Sequence, residues 1–150
     1  MSSEEVEKYF QVLETELVSE KNWQYIRLTR EWTKQFPTAA GVYAIRENGQ
    51  LAYVGETGSI RARMNDLLNT QNHVIRRTIG NLKYKDLEGF AKATSYKKFL
   101  PEIEEKLNEW IQNKLEVNVL VVRLGRKEFE EHIYYKHKPK YNNKGKRESK

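Results

Sequence analysis

Two tyrosines, Tyr43 and Tyr53, lie in the short stretches Gly41-Val42-Tyr43 and Tyr53-Val54-Gly55, with Glu47-Asn48-Gly49 between them. Asn-Gly flanked by alternating β-branched and aromatic residues is a tight-turn signal. The segment therefore predicts a hairpin that fixes two phenols on neighbouring strands. Eight residues beyond Gly55 comes Arg63, with Arg61 beside it; ten residues further comes His73, followed one turn later by Arg76 and Arg77. These residue types suit phosphate chemistry. Hydrolysing a phosphodiester requires an attacking water, an acceptor for its proton, cationic stabilisation of the phosphate and help for the departing oxygen. A guanidinium stays charged and grips two phosphate oxygens. A neutral imidazole positions water or takes up a proton near neutral pH. A phenol titrates near 10, so a tyrosine acting as base needs neighbouring cations to lower its pKa.

With Val in place of Ile in both tripeptides, GVYAIRENGQLAYVG resembles the signature of the GIY-YIG nuclease family, metal-dependent enzymes that hydrolyse DNA phosphodiesters. The family carries an arginine at the step of Arg63 and often a histidine near the position of His73. Far along the chain, EEHIYYKHKPKYN supplies Glu130, then Pro139 nine residues later and Asn142 twelve later, the family's spacing for its terminal helix. The likeness covers residues 38–82 and 119–143. It implies that Tyr43 is the general base, assisted by His73, that Tyr53 orients the water or phosphate, and that Arg63 stabilises the transition-state charge. It implies Glu130 as the ligand of one Mg2+, or of Mn2+, because a single carboxylate leaving most positions to water and substrate oxygens is typical of Mg2+ at phosphates. Glu128 and Glu131 take its place if the register shifts. Arg61, Arg76, Arg77, Lys138, Lys140 and Asn142 are the expected DNA-binding residues, with Asn142 also bracing the site through hydrogen bonds. Glu56, straight after Tyr53-Val54-Gly55, departs from many members and brings a negative charge near the site.

The elements that must hold these groups follow from patterning. Ser2 or Ser3, then Glu4, Glu5, Val6, Tyr9, Phe10, Leu13 and Leu17, predict a capped amphipathic helix. A short strand around Trp23 to Leu28 and a brief helix capped by Thr29 and ended by Pro37 complete a leader. After the hairpin, Ser59 opens a helix through Ile60, Met64 and Leu68, Asn72 caps a second from His73 to Leu82, and 84–95 reads as a loop. Phe99 to Leu115 is a helix with Pro101 in its first turn. The apolar run Val117 to Leu124 predicts a central strand buried on both faces, broken at Gly125, and Glu128 to Lys136 the last helix. The fold class is α+β: a small, mainly antiparallel sheet of three strands flanked by helices. An N-terminal helical extension takes residues 1–37, the catalytic domain 38–143, and a basic, disordered tail 144–150.

The 150 residues carry a formal charge of +6. Residues 136–150 hold seven Lys and Arg against Glu148, whereas residues 1–20 hold six Glu against Lys8. A basic middle and tail neutralise phosphates without reading sequence. With no Cys a thiolate zinc site is excluded, and an intracellular, cytoplasmic setting is expected, with nucleoid association if the source is prokaryotic. No membrane role is expected. The predicted activity is a metal-dependent DNA endonuclease of restriction or repair and recombination type, acting on double-stranded or branched DNA as a monomer or homodimer. The alternatives are a catalytically weak DNA-binding module of the same fold and an interaction protein docking through its N-terminal helix.

Overall fold

In the computed structural model, which describes residues 1–142, one antiparallel sheet separates two layers of helices. The hairpin forms as its turn residues require. β2 (Gly41–Glu47) and β3 (Gln50–Thr57) are joined by Asn48 and Gly49 at φ 52° and 76°, the left-handed pair that a two-residue turn matching strand twist demands. Their register places Tyr43 opposite Gly55 and Ile45 opposite Tyr53, then slips by one residue at Ala52.

The sheet has four strands, not three, in the order β1-β4-β2-β3. The extra one, β1 (Gln24–Tyr25), is only two residues long and pairs with Val117 and Glu116 of β4 (Leu115–Val121). β4 begins and ends earlier than its apolar run suggests. Its partner β2 starts at Gly41, opposite Val121, and one further bond, from Val122 N–H to the Ala40 carbonyl at 3.2 Å, closes the ladder. Leu124 consequently lies outside the sheet and is 60% exposed.

Alternation along β2 and β3 sends side chains to two different cores. Tyr43, Ile45 and Tyr53 face a layer built by α3 (Ile60–Asp66), α4 (Val74–Tyr84) and α5 (Pro101–Lys114). Val42, Ala44 and Val54 face α6 (Arg126–His137) and α1 (Ser3–Val18). The short α2 (Arg30–Thr33), capped by Thr29 as predicted, packs beside α3. Helix α1 carries a full capping box, with Ser2 Oγ accepting from Glu5 N–H and Glu5 Oε1 from Ser2 N–H, both at 3.2 Å.

The apolar face of α1 is covered by its own chain. Leu17 is fully buried, an exchange worth about 1.5–3 kcal/mol, and the Phe10 ring lies 5.6 Å from that of Phe129. Tyr9 Oη donates to the Leu124 carbonyl at 2.8 Å. Among the described residues no helix is long and apolar enough to cross a membrane. The expected tail, 144–150, lies outside the described residues.

Candidate active site

On the α3–α4 side of the sheet, three rings meet. The centroids of Tyr43 and Tyr53 are 5.9 Å apart, and the imidazole of His73 stands edge-on to both, at 5.8 and 5.4 Å. Gly55 makes this possible: a Cβ there would come within 2.5 Å of the Tyr43 ring. The glycine after the second tyrosine is thus a steric requirement of the first tyrosine.

His73, not Asn72, caps α4. Its Nδ1 accepts the Ile75 N–H at 3.1 Å, which fixes the ring's protonation. A neutral imidazole whose Nδ1 accepts must carry its hydrogen on Nε2, and Nε2 lies 2.7 Å from the Tyr43 hydroxyl. The tyrosine oxygen therefore receives a hydrogen bond from His73. It receives a second from Arg63 Nε–H at 3.1 Å. With both lone pairs occupied, the phenol's own hydrogen points away from these donors. The backbone N–H of Ile75 denies His73 the opposite tautomer, so His73 serves Tyr43 as a donor and is not placed to take its proton.

Burial pushes the Tyr43 phenol well above its usual 10; Tyr53 adds to the shift, and Arg63 offsets only part of it. The lowering by neighbouring cations that a tyrosine base needs is thus supplied in part by Arg63 and outweighed by burial. Burial, with the charges of Arg63, Arg77 and Arg76, holds His73 well below its usual 6.5. Both groups are neutral at pH 7.

Arg63 is oriented by residues that its motif does not reveal. Nη1 donates to Asp66 Oδ2 at 3.0 Å and to the Asn72 carbonyl at 3.1 Å. Nη2 bonds no described residue, which leaves one edge of a partly exposed guanidinium for an anion. Asp66, one helical turn on, carried no signal beyond the general rule that such pairs interact on a helix.

The other cations divide. Arg76 is 1% exposed and spends its guanidinium inside the protein, on Glu104 (2.9 Å), Thr70 (3.0 Å), the Leu67 carbonyl (3.1 Å) and Asn108. It ties α4 to α5 and has no surface to offer DNA, contrary to expectation. Arg77 Nη1 donates to the carbonyls of Thr70 and Gln71, at 3.0 and 2.9 Å, and Arg61 Nε to that of Phe36 at 2.8 Å. Both stay partly exposed. Lys138 ends α6 in the left-handed region, exposed, and Lys140 sits 3.2 Å from Glu47.

Glu130 comes from the opposite layer. It projects from α6 and is 3% exposed, four residues after Arg126, whose Nε meets Glu56 Oε2 at 2.6 Å. That ion pair absorbs the charge Glu56 would otherwise bring. Glu128 and Glu131 are exposed. Among the described residues no three His, Cys, Asp or Glu gather as a ready-made metal cluster. One buried carboxylate supplies a hard oxygen donor and leaves most positions to water and substrate, and this donor set fits Mg2+. Asn142 is spent on the sheet edge. Its Oδ1 accepts from Val54 N–H at 3.0 Å and its Nδ2 donates to Val54 O at 2.8 Å, between Tyr53 and Gly55. This is bracing, as expected, and it occupies the amide expected to touch DNA.

Crystal structures of the N-terminal GIY-YIG endonuclease domain of UvrC from Thermotoga maritima are similar. One, a point mutant bound to its catalytic divalent cation, is 19% identical with a TM-score of 0.44, covering 77% of this chain and 94% of that one. Another, bound to magnesium, is 18% identical with a TM-score of 0.39, covering 76% and 94%. No curated protein matches the chain. The sequence model of the GIY-YIG catalytic domain matches residues 26–150, taking in both tyrosines, Arg63, His73 and Glu130; the chain belongs to the GIY-YIG family.

Proposed function

We propose that this protein is a metal-dependent DNA endonuclease that hydrolyses phosphodiester bonds. The observation that carries the reading is the Tyr43 oxygen, held by His73 Nε2–H and Arg63 Nε–H with its tautomeric environment locked. Such an oxygen is preorganised to carry negative charge, since two donors aimed at it favour the phenolate once the local charge permits. Once the phenol has released its own hydrogen to solvent, the Tyr43 phenolate aligns the attacking water and takes that water's proton. Tyr53, beside it, orients water or phosphate. Arg63 holds the phosphate through its outward edge and stabilises the charge that develops there. Glu130 holds the divalent cation, Mg2+ or Mn2+, which supplies Lewis acidity at the phosphate and leaving oxygen. His73 keeps Tyr43 in place. Arg61, Arg77, Lys138 and Lys140 supply backbone-phosphate affinity.

The neutral state of Tyr43 in the unloaded protein favours a second reading, a DNA-binding module with weak turnover. Plasmid nicking with Mg2+ separates the two. Wild-type protein is expected to nick, while Tyr43→Phe and Glu130→Ala bind DNA without cutting it. Intact plasmid over a broad range of metal and pH sinks the enzyme reading. Equal cutting by Glu130→Ala sinks the metal assignment. Restriction-type and repair-type action are distinguished by comparing a mixed-sequence duplex with branched DNA, and monomer from dimer by sedimentation on the cognate substrate.

A further inference from the structure

Between α4 and α5 the chain makes a small two-residue turn that the site does not use. Thr94 N–H donates to Lys97 O at 2.8 Å and Lys97 N–H to Thr94 O at 3.3 Å, while Tyr96 N–H donates to Thr94 Oγ1 at 3.1 Å. At its tip Tyr96 is 90% exposed. An isolated exposed aromatic is ordinary. This one differs in its mounting and its company.

The mounting is rigid. Ala93 and Phe99, on either side of the turn, are buried. Phe99 N–H donates to Glu104 Oε2 at 2.9 Å, the same carboxylate that pairs with Arg76. The Phe99 ring lies so close to Gly80 that a Cβ there would come within 2.3 Å of it. Gly80 stands seven residues along α4 from His73, a helical rise of about 10 Å, which is the length of about three stacked base pairs. Phe99, at the base of the turn, is thus anchored on α4 about two helical turns beyond His73.

The company is cationic. From Gly89 to Pro101 the chain has three lysines, Lys92, Lys97 and Lys98, and no acidic residue; all three lysines are exposed. A ring flanked by ammonium groups, with Leu100 at 44% the one other exposed large apolar side chain between Gly89 and Pro101, matches a polyanion that carries flat faces. A protein partner would call for a wider apolar rim.

We propose that the 94–97 turn is a stacking finger for the DNA substrate: Tyr96 stacks on an unpaired base a few nucleotides from the scissile phosphate, and Lys97 and Lys98 hold the adjoining backbone. The proposal rests on the endonuclease reading and specifies its substrate as DNA with a base out of the helix. Stacking on an aromatic tolerates any base and loses about tenfold in affinity when the ring is removed.

The test is fluorescence anisotropy in EDTA buffer with two labelled oligonucleotides, a fully paired duplex and the same duplex with a three-base bubble. Tyr96→Ala is expected to weaken binding to the bubble about tenfold and to the paired duplex far less, with thermal unfolding unchanged. Tyr96→Phe, which keeps the ring, restores wild-type affinity. With Mg2+, Tyr96→Ala raises KM and leaves kcat unchanged. Equal affinity of Tyr96→Ala and wild type for the bubble overturns the finger, as does an equal loss in Tyr96→Phe. If wild type binds neither oligonucleotide at low salt, the endonuclease reading falls and the finger with it.

Discussion

The two faces of the sheet are held by different physics. On one, Tyr43, Arg63 and His73 are joined by directional hydrogen bonds of 2.7 and 3.1 Å, with Arg76 and Glu104 forming a second buried polar hub behind them. On the other, Val42, Ala44 and Val54 meet Phe129, Ile133 and Leu17 in a mainly apolar core, with Asn118 Nδ2 donating to the Leu17 carbonyl at 2.8 Å and further polar contacts at its rim. There Glu14 accepts His137 at 2.9 Å, Lys136 at 2.9 Å and His132 at 3.2 Å, clamping α1 to α6. The polar face fixes its groups in direction as well as distance. The apolar face positions one helix as a rigid body, and with it Glu130. Proton transfer needs the first kind of precision, whereas a cation that completes its shell with water tolerates the second.

The largest effect that would sharpen this contrast is at Tyr43. Tyr43→Phe is expected to lower kcat by about 10^2–10^4-fold, and to cost about 1–3 kcal/mol in urea unfolding because two buried donors lose their acceptor. If Glu130→Gln lowers metal affinity, measured by Mn2+ titration, without that stability cost, the division between the faces holds; equal costs would blur it.

Next comes Glu104→Ala. It strands the Arg76 charge in the interior and is expected to destabilise by about 3–5 kcal/mol, read by urea denaturation. A loss under about 1 kcal/mol would mean that the polar hub behind the site is ornamental.

A pH titration addresses the same face more gently. His73 has a depressed pKa in the fold, so the unfolded chain binds a proton that the native one refuses. The stabilising share of His73 is complete above about 6.5 and is lost as pH falls below it, at about 1.4 kcal/mol per pH unit. Thermal melts from pH 7.5 to 5 should show this slope in wild type and a shallower one in His73→Asn. Identical slopes would place the titrating group elsewhere.

The smallest effect belongs to the rim of the other face. Burial pulls the Glu14 pKa up, but its bonds with His137, Lys136 and His132 outweigh that and leave it lowered. Its contribution is present above the ordinary carboxylate range and disappears as pH falls through it. Glu14→Gln should cost about 1 kcal/mol at pH 7 and progressively less toward pH 3. If it also weakens Mn2+ binding, α1 is setting the position of Glu130 through α6.

The same contrast explains what was legible in the sequence. The hairpin announced itself because Asn48-Gly49 and the alternation around it are local signals, and the helix beginning at Ser59 likewise. The capping role of His73 was hidden behind Asn72, a commoner cap, because it depends on a ring nitrogen that the tertiary fold turns inward. The burial of Arg76 was illegible because its partner Glu104 lies on a different helix. The two residues of β1 are too few to show a period, and the early end of β4 is decided by where β2 begins. Spacing found Glu130, Pro139 and Asn142 but gave no hint that α6 approaches from the other layer. Glu14 and its three partners span 123 residues, beyond any pattern in the chain.

Asn142 has one further consequence. β3 is the outermost strand, and an outermost strand offers its spare N–H and C=O groups to any passing extended chain. At Val54 the carboxamide of Asn142 fills both groups, and at Ala52 the carbonyl is taken by Tyr141 N–H at 2.9 Å. A single side chain and one peptide therefore imitate a fifth strand too short to be extended. A chain cut after Pro139 would lose the buried Tyr141 ring from one edge of its core and bare a sticky margin, so its failing would show as self-association between molecules as well as lost stability.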